Sequence, residues 1–573
     1  MKKTKSILTV IPILIVLFAM ITSCSSPESN RKSKDDMVVG SLPYIKETNG
    51  VKQLMVDGEP FVMLGGELMN SSASGIEYME PVWDRVQALN VNTILLPVNW
   101  QQFEPVEGEF DYSLIDNHIK KAHEHDMKMI VLWFGSWKNG RSHYTPDWVK
   151  TDMDRFPRMR YEDQVITPTI SNISEENLKA DTRAYLKLIE RIKEVDNHNT
   201  VIMMQIENEV GLLGGSRDFS PAAQALFEQD VPEDLIRQIR QNIDELKPYI
   251  RDAYQSNGSR EQGSWEEVFG KSELTDEMFM AWNYALYINH LSKAGKEVHN
   301  LPTLVNAWVA AKDRTLGQYP SGGPNYKMLD IWMAGAPDID IIAVDNYEPY
   351  FAEKCNDFVH RGNPLFIPEA VAIWKGDTIS GGAKAFYTIG HFNAICFAPF
   401  GIDHEVYHQN HPLKNSYKVL ESLMPFIIKA QIENRIDAFM EWDPAIPKTF
   451  TMGDYKFTVS YDMPKLPHIQ GYGMVIQTTD DEFIIAGNAF KLGVESVNSD
   501  RPTAQLLSVE EGEFINGKWH PGRMLNGDEF HIKFPAKPYG NLIQNVVLDE
   551  VAVHKVKLFT HDGGSRNENL TPF

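Results

Sequence analysis

Cysteine is nearly absent. The 573 residues hold three, Cys24, Cys355 and Cys396, too few for a disulfide framework or a cysteine-ligated zinc site. Cys396 lies in the apolar run "AICFAP", a core setting that argues against a bridge to Cys355. Positive charge is scarce as well: 55 Lys and Arg against 78 Asp and Glu leave a formal charge of −23. Nucleic acids and anionic membrane surfaces are bound through basic patches, so neither is an expected partner. There is no internal repeat, no HExxH motif, and no apolar run of membrane-spanning length after the N-terminal one. "GLLGGS", residues 211–216, follows an apolar run where glycine permits a tight turn, and is not a phosphate cradle.

What is present begins with a leader. Lys2, Lys3 and Lys5 precede the apolar stretch "ILTVIPILIVLFAMI", so residues 1–23 read as a signal segment rather than as fold. "ITSC" sets small residues before Cys24 and resembles the lipobox of bacterial lipoproteins. That resemblance implies cleavage before Cys24, lipid attachment to its thiol, and a place in the bacterial cell envelope, on the outer membrane or facing the periplasm. A plain secretion signal or an uncleaved anchor is the alternative. Residues 24–40, with "SSPESNRKSKDD", form a tether too hydrophilic to pack.

The length calls for more than one core. From about residue 61 to 432, short apolar runs alternate with amphipathic helical patterns. The runs are "FVMLGG", "TILLPVNW", "KMIVLWFG", "VIMMQIENE", "TLVNAW", "DIIAVDNY", "PLFIPE" and "AICFAP". Runs buried on both faces and separated by helices predict parallel strands with helical crossovers. Eight of them favour a closed (β/α)8 TIM barrel over an open sheet. After about residue 435, short alternating segments such as "YKFTVSYD", "GYGMVIQTT" and "DEFIIAGNAF" are divided by Gly, Asp, Asn and Pro. They predict an antiparallel, sandwich-like β domain. The expected organisation is an α/β barrel over residues 41–435 and a C-terminal β domain over 436–573. The long connections at 134–175 and 212–300 follow runs three and four, where barrel enzymes build pockets and lids.

Two runs end on carboxylates. "VIMMQIENEVG" leads an apolar strand into Glu207, Asn208 and Glu209, and "PLFIPEA" leads run seven into Glu369. A strand end that faces water explains either one alone. A chemical reading joins them. Cleaving a glycosidic bond with retention needs two carboxyls ~5–5.5 Å apart, one attacking the anomeric carbon and the other trading a proton with the leaving oxygen and then with water. Strands four and seven face each other across an eight-stranded barrel. The acid must hold its proton through burial or a neighbouring carboxylate, and the nucleophile must stay ionised through hydrogen-bond donors. Asn208 offers such a polar group, most usefully to the sugar 2-hydroxyl.

These residues carry a family resemblance over roughly residues 55–430. "QIENEVG" resembles the acid/base strand of glycoside hydrolase family 35, the β-galactosidases, and "WQQFEPVEGEFDYSLID" is similar to that family's second-strand motif. "LGGELMNSS" fits the broader β-galactosidase pattern. The resemblance implies Glu209 as acid/base, Glu369 as nucleophile, Tyr347 as a hydroxyl donor to Glu369, and no cofactor. The chain departs from the family at "FGSWKNG", where Ser136 stands in place of a Glu that helps read galactose hydroxyls. "VNWQQFEP" resembles family 42 as much as family 35.

Further candidates lie at the predicted strand mouths. Glu67 reads as a hydroxyl contact or a solvated loop carboxylate, Trp100 and Trp137 equally as sugar-stacking platforms or packing of the barrel top, and Asn306, Trp308, Tyr347 and Trp374 as further substrate contacts. Glu207 reads as support for its neighbours, and Glu104 equally as sugar contact or salt-bridge group. His404, His408 and His411 in "DHEVYHQNH" read as a polar loop, and no metal site is expected. The function expected is that of a retaining exo-β-galactosidase acting on terminal residues of oligo- or polysaccharides. The rivals are the same chemistry on another sugar, such as an arabinopyranoside, and a non-catalytic glycan-binding surface lipoprotein. A homo-oligomer is left open.

Overall fold

The computed structural model describes residues 40–563 apart from 309–313, 348–349, 372–379, 405–411, 443–445, 462–469, 526–532 and 535–550. The leader and tether, with Cys24, and the candidates Trp374, His408 and His411 lie outside the described residues.

The eight apolar runs become eight parallel strands in one sheet. They are β1 Met63–Glu67, β2 Thr93–Asn99, β3 Lys128–Lys138, β4 Val201–Asn208, β5 Thr303–Trp308, β6 Ile341–Asp345, β7 Phe366–Ala370 and β8 Cys396–Pro399. Each is followed by a helix: α1 Ile76–Gln87, α2 Ser113–Glu124, α3 Glu175–Val195, α4 Glu273–Val298, α5 Leu329–Gly335, α6 Phe351–Phe358, α7 Gly381–His391 and α8 Pro412–Glu433. Hydrogen-bonded neighbours run in order from β1 to β6, with β8 between β1 and β7. The ring closes between β6 and β7, where the Asn346 N–H donates to the Glu369 carbonyl at 2.8 Å.

Strand alternation sorts the core. Met63, Leu95, Ile130, Leu132, Leu304, Ile341, Ala343, Phe366, Cys396 and Ala398 form one cluster inside the barrel. Their neighbours Leu64, Ile94, Leu96, Val131, Val305, Ile342, Val344 and Phe397 join the cluster shared with the helices. Gly65 permits a close approach of β1 to β8, since a Cβ there would stand 2.8 Å from Ala398. Leu54 and Val56, from an N-terminal hairpin, join the inner cluster and plug the N-terminal end. Both described cysteines are buried free thiols.

Helix α8 ends at Glu433, and antiparallel structure begins at strand Ile436–Met440. A six-stranded sheet orders Ile436–Met440, Tyr472–Gln477, Glu482–Asn488, Ala552–His561, Thr503–Ile515 and Lys518–Met524. A four-stranded sheet orders Lys448–Met452, Tyr455–Ser460, Phe490–Ser496 and Lys533–Phe534. Phe439, Tyr455, Phe457, Val475, Phe483, Ile485, Phe490 and Val556 fill the space between them, as in a sandwich. Alternate residues of the larger sheet, Ala438, Met474, Ile484, Ala486 and Val553, belong to the cluster of the barrel helices. Phe386 of α7 meets Tyr472 at 5.3 Å between ring centroids, and Phe426 of α8 meets Phe514 at 4.7 Å. The β domain is thus built onto α7 and α8 through a common apolar core.

Candidate active site

The alternation that points Met63, Leu304 and Ile341 into the barrel also points Glu67, Asn306 and Asp345 inward nearer the C-terminal mouth. Glu67 and Asn306 are 0% and 2% exposed, and Asp345 is 1%. The other groups arrive through irregular backbone. Strand β3 shifts register against β4 between Trp133 and Lys138, and Lys138 then pairs with Asn208. At the end of β4, Glu207 and Glu209 have φ of 59° and 45°, in the left-handed region that costs a non-glycine residue ~1–3 kcal/mol. This break sends the two carboxylates to different neighbours. Glu207 accepts the Ser136 and Trp137 amides at 2.8 and 2.7 Å and meets Asp181 of α3. Glu209 accepts a hydrogen bond from the Asn139 side chain, and its own N–H donates to Asn306 Oδ1 at 3.0 Å.

Residues 160 apart in sequence meet here. One carboxylate oxygen each from Glu209, Asp345 and Glu369 lies within 4.8 Å of the others. Glu369 is supplied with neutral donors. The Tyr347 hydroxyl donates to Oε2 at 2.9 Å, and the Asn208 and Asn306 amides donate to Oε1 at 3.2 and 3.5 Å. Asn306 also donates to Asp345 Oδ2 at 2.9 Å. Lys138 Nζ donates to Asn208 Oδ1 at 2.8 Å. Its stem passes over the Phe134 ring, with Nζ 5.1 Å from the centroid.

Burial dominates the titration of this cup. Glu67 is held well above the usual carboxylate range by burial, with the charges of Glu369 and Glu209 adding and Lys138 opposing. Asp345 rises well above its usual range for the same first reason, with Glu369 and Glu209 adding, and it shares a hydrogen bond with Glu209. A carboxyl–carboxyl hydrogen bond requires a proton, so that pair retains one. Burial lowers Lys138, but the surrounding carboxylates outweigh it, so the ammonium stays charged. Tyr347 is raised by burial and then by Glu369, and remains a protonated donor. Geometrically, Glu209, Asp345 and Glu369 are the group of three with the reach to hold a metal ion among the described residues. A divalent ion there would compete with the Lys138 ammonium for the same carboxylates.

The remaining candidates divide. Asn208, Glu67, Asn306 and Tyr347 converge on the cup, and Trp308 sits partly buried at the end of β5. Trp100 and Trp137 do not offer a face to a sugar, which corrects their assignment to stacking. Trp100 is 0% exposed, packs on Trp133 and Trp148, and gives its indole N–H to Glu104 Oε2 at 2.7 Å. Trp137 is 1% exposed, wedged against Tyr284 and Tyr287, with its indole N–H on the Ile170 carbonyl at 3.0 Å. Glu104 is a structural ion-pair group, accepting from Arg183 at 2.7 Å and the Gly108 amide at 2.8 Å. Ser136 turns its hydroxyl toward Asp181 and Tyr287, away from the cup. Sequence reasoning missed Lys138, Asn139 and Asp345. Asp345 carried a readable signal, a carboxylate at the end of the sixth apolar run. Lys138 and Asn139 carried none, because they follow the register shift.

Comparison with known proteins agrees with this architecture in part of the chain. Residues 53–247 match the model of glycosyl hydrolases family 35, and residues 413–535 match a domain of unknown function, DUF5597. The first match includes Glu209 and Lys138 and stops before Glu369. The second starts inside α8 and runs into the β domain. Beta-galactosidase 17 of Arabidopsis thaliana is 27% identical over 246 residues, 40% of this chain and 32% of that protein. Beta-galactosidase 8 of Oryza sativa subsp. japonica is 30% identical over 176 residues, 28% of this chain and 23% of that protein. The chain therefore spans a third or less of the length of these curated relatives. Among solved structures, the β-galactosidase of Bacillus circulans sp. alkalophilus superposes with a TM-score of 0.42 at 14% identity, over 63% of this chain and 56% of that one. The β-mannanase of the blue mussel Mytilus edulis gives 0.38 at 13% identity, over 65% of this chain and 98% of that one. At such scores neither likeness bears on the chemistry.

Proposed function

We propose that this chain, whose residues 53–247 match the model of glycosyl hydrolases family 35, is a retaining exo-glycosidase that removes terminal β-galactosyl residues. The supporting observation is the approach of Glu209 and Glu369 oxygens to within 4.8 Å of each other at the barrel mouth. That suits the close carboxyl pair of a double displacement better than the ~6.5–9.5 Å spacing that leaves room for a water in an inverting enzyme. Both carboxylates are nearly closed from solvent, at 6% and 5% exposure, which fits a pocket for one terminal residue rather than an open groove.

The roles follow from the neighbours. Glu369, held in place by the Tyr347, Asn208 and Asn306 donors, serves as nucleophile. Glu209, across the cup from Glu369 and beside Asp345, serves as the acid. A Glu369 oxygen attacks C1, the glycosidic C1–O bond breaks, and the departing oxygen takes the Glu209 proton. Glu209, now a carboxylate, deprotonates a water. That water attacks C1 and breaks the ester to Glu369, releasing the sugar with its original configuration. Glu67, buried beside Glu369 and Glu209, is placed to meet a sugar hydroxyl.

A fluorinated galactoside that accumulates the glycosyl-enzyme tests this. The expected result is a covalent adduct on the peptide containing Glu369, together with retention in the first product of an unmodified substrate. An inverted product, or a label on another residue, overturns it. The rival sugar is favoured by one observation. Ser136, at the position assigned to galactose reading, bonds outward to Asp181 and Tyr287. A panel of aryl glycosides that includes the arabinopyranoside decides between the two. Lipid anchoring at Cys24 is part of the same proposal, and a C24A variant is expected to lose lipid label and membrane association.

A further inference from the structure

We infer that Lys138 is a positioning residue for the nucleophile: it orients the Asn208 amide and supplies the cation of the carboxyl-lined cup. This rests on the glycosidase reading above. An ammonium can only donate. Its contact with Asn208 Oδ1 at 2.8 Å therefore fixes which end of that amide faces β3. The Asn208 NH2 is thereby turned to Glu369 Oε1 at 3.2 Å. Without the ammonium, the amide is free to turn over and set its carbonyl oxygen against the Glu369 carboxylate, replacing an attraction by a repulsion.

The placement of Lys138 supports the second half of the role. Glu67 from β1, Glu209 from β4, Asp345 from β6 and Glu369 from β7 all act on it electrostatically, and the Tyr347 hydroxyl stands beyond Glu369. Nζ makes its one hydrogen bond among the described residues to Asn208. The side chain is 6% exposed and lies across Phe134. It is a fixed charge at the edge of the pocket rather than a surface lysine that happens to face inward. An opposite charge close to a carboxylate lowers its pKa by ~1–3 units. Lys138 pulls in that direction on Glu67, against the burial that raises it.

Lys138→Met, Lys138→Gln and Lys138→Arg separate the two effects in full-length enzyme, with kcat/KM measured against pH on an aryl β-galactoside. In K138M the value is expected to fall about 100-fold, the scale of losing one preorganised polar contact in an active site. The acid limb should also move to higher pH, because the carboxyls of the cup lose the cation that favours their charged forms. K138Q can still donate to Asn208, so part of the rate returns while the limb stays displaced. K138R keeps the charge and returns the limb to its wild-type position. An acid limb in K138M and K138Q that coincides with wild type overturns the inference. If K138M fails to fold, the limb of K138Q decides. A wild-type enzyme that turns over no β-glycoside and forms no adduct with the fluorinated sugar is a different failure, that of the functional reading itself.

Discussion

Removing the Tyr347 hydroxyl measures how far Glu369 depends on its neighbours. That hydroxyl lies 2.9 Å from Glu369 Oε2 and is the donor to that oxygen among the described residues. The other oxygen keeps the amides of Asn208 and Asn306 at 3.2 and 3.5 Å. A hydrogen bond to a charged acceptor contributes ~1.5–3 kcal/mol. Its loss frees the carboxylate to rotate out of line with C1. The same anion attacks C1, so kcat/KM should fall by roughly 10–100-fold, at a factor of ten per ~1.4 kcal/mol.

The ring of Tyr347 is partly exposed, and phenylalanine keeps its shape, so global stability should change little. The assay is kcat/KM against pH for an aryl β-galactoside, with a thermal melt of each protein. The profile should drop by a similar factor across the pH range, because the contact that is lost is one of orientation. A variant within about twofold of wild type at every pH would refute the reasoning that the Tyr347 hydroxyl holds the nucleophile in place.

Three further outcomes follow from the same contacts. Glu207→Ala should destabilise the fold by ~2–5 kcal/mol in urea titration, because the buried Ser136 and Trp137 amides lose their acceptors. Trp100→Phe should lower the melting temperature by stripping Glu104 Oε2 of its indole donor, at ~1–3 kcal/mol, while KM for an aryl galactoside stays within about twofold, since no face of Trp100 reaches the cup. Glu277 on α4 is pushed up to about 7, first by burial, against the pull of Asn325, Lys327 and Tyr319. A carboxyl raised in the folded state adds stability that is complete at low pH and lost as pH rises through the folded value. Wild type should therefore lose about 3 kcal/mol relative to Glu277→Gln between pH 4.5 and 7. Parallel stability–pH curves for the two proteins would contradict that.

How much of this was legible in the amino-acid order depended on how regular the backbone is. All eight strands were readable, because a strand buried on both faces leaves an apolar run bounded by turn residues. Glu67 was visible because β1 is regular: Met63, Gly65 and Glu67 alternate inward along one strand. Asp345 follows the same rule from Ile341 and Ala343. Lys138 could not be read this way, since counting by twos from Trp133 fails across the register shift. Trp100 and Trp137 misled for another reason. A tryptophan at a strand mouth suits a sugar platform or the lid of a hydrophobic core equally well. The difference lies in ring neighbours from distant segments, Trp148 for one and Tyr284 and Tyr287 for the other.

The irregularities themselves fall on the strands that carry the proposed chemistry. Glu207 and Glu209 at the end of β4, and Val371 just past β7, adopt φ of 59°, 45° and 58°. The left-handed region is costly for any of them and most so for a β-branched valine. Strand β7 also slips against β8 between Ile367 and Ala370, the interval that contains Glu369. A regular β4 would point Glu207 and Glu209 to the same face, crowding a third carboxylate toward Glu369 and leaving the Ser136 and Trp137 amides without their acceptor. The twist at these residues separates the two side chains, one to bind the β3 backbone and Asp181, the other to face Glu369. Local backbone strain here stands in place of a larger electrostatic cost. The Glu207 contacts on β3 lie directly before Lys138, so the same acceptor that relieves one crowding also anchors the strand that brings the cation to the cup.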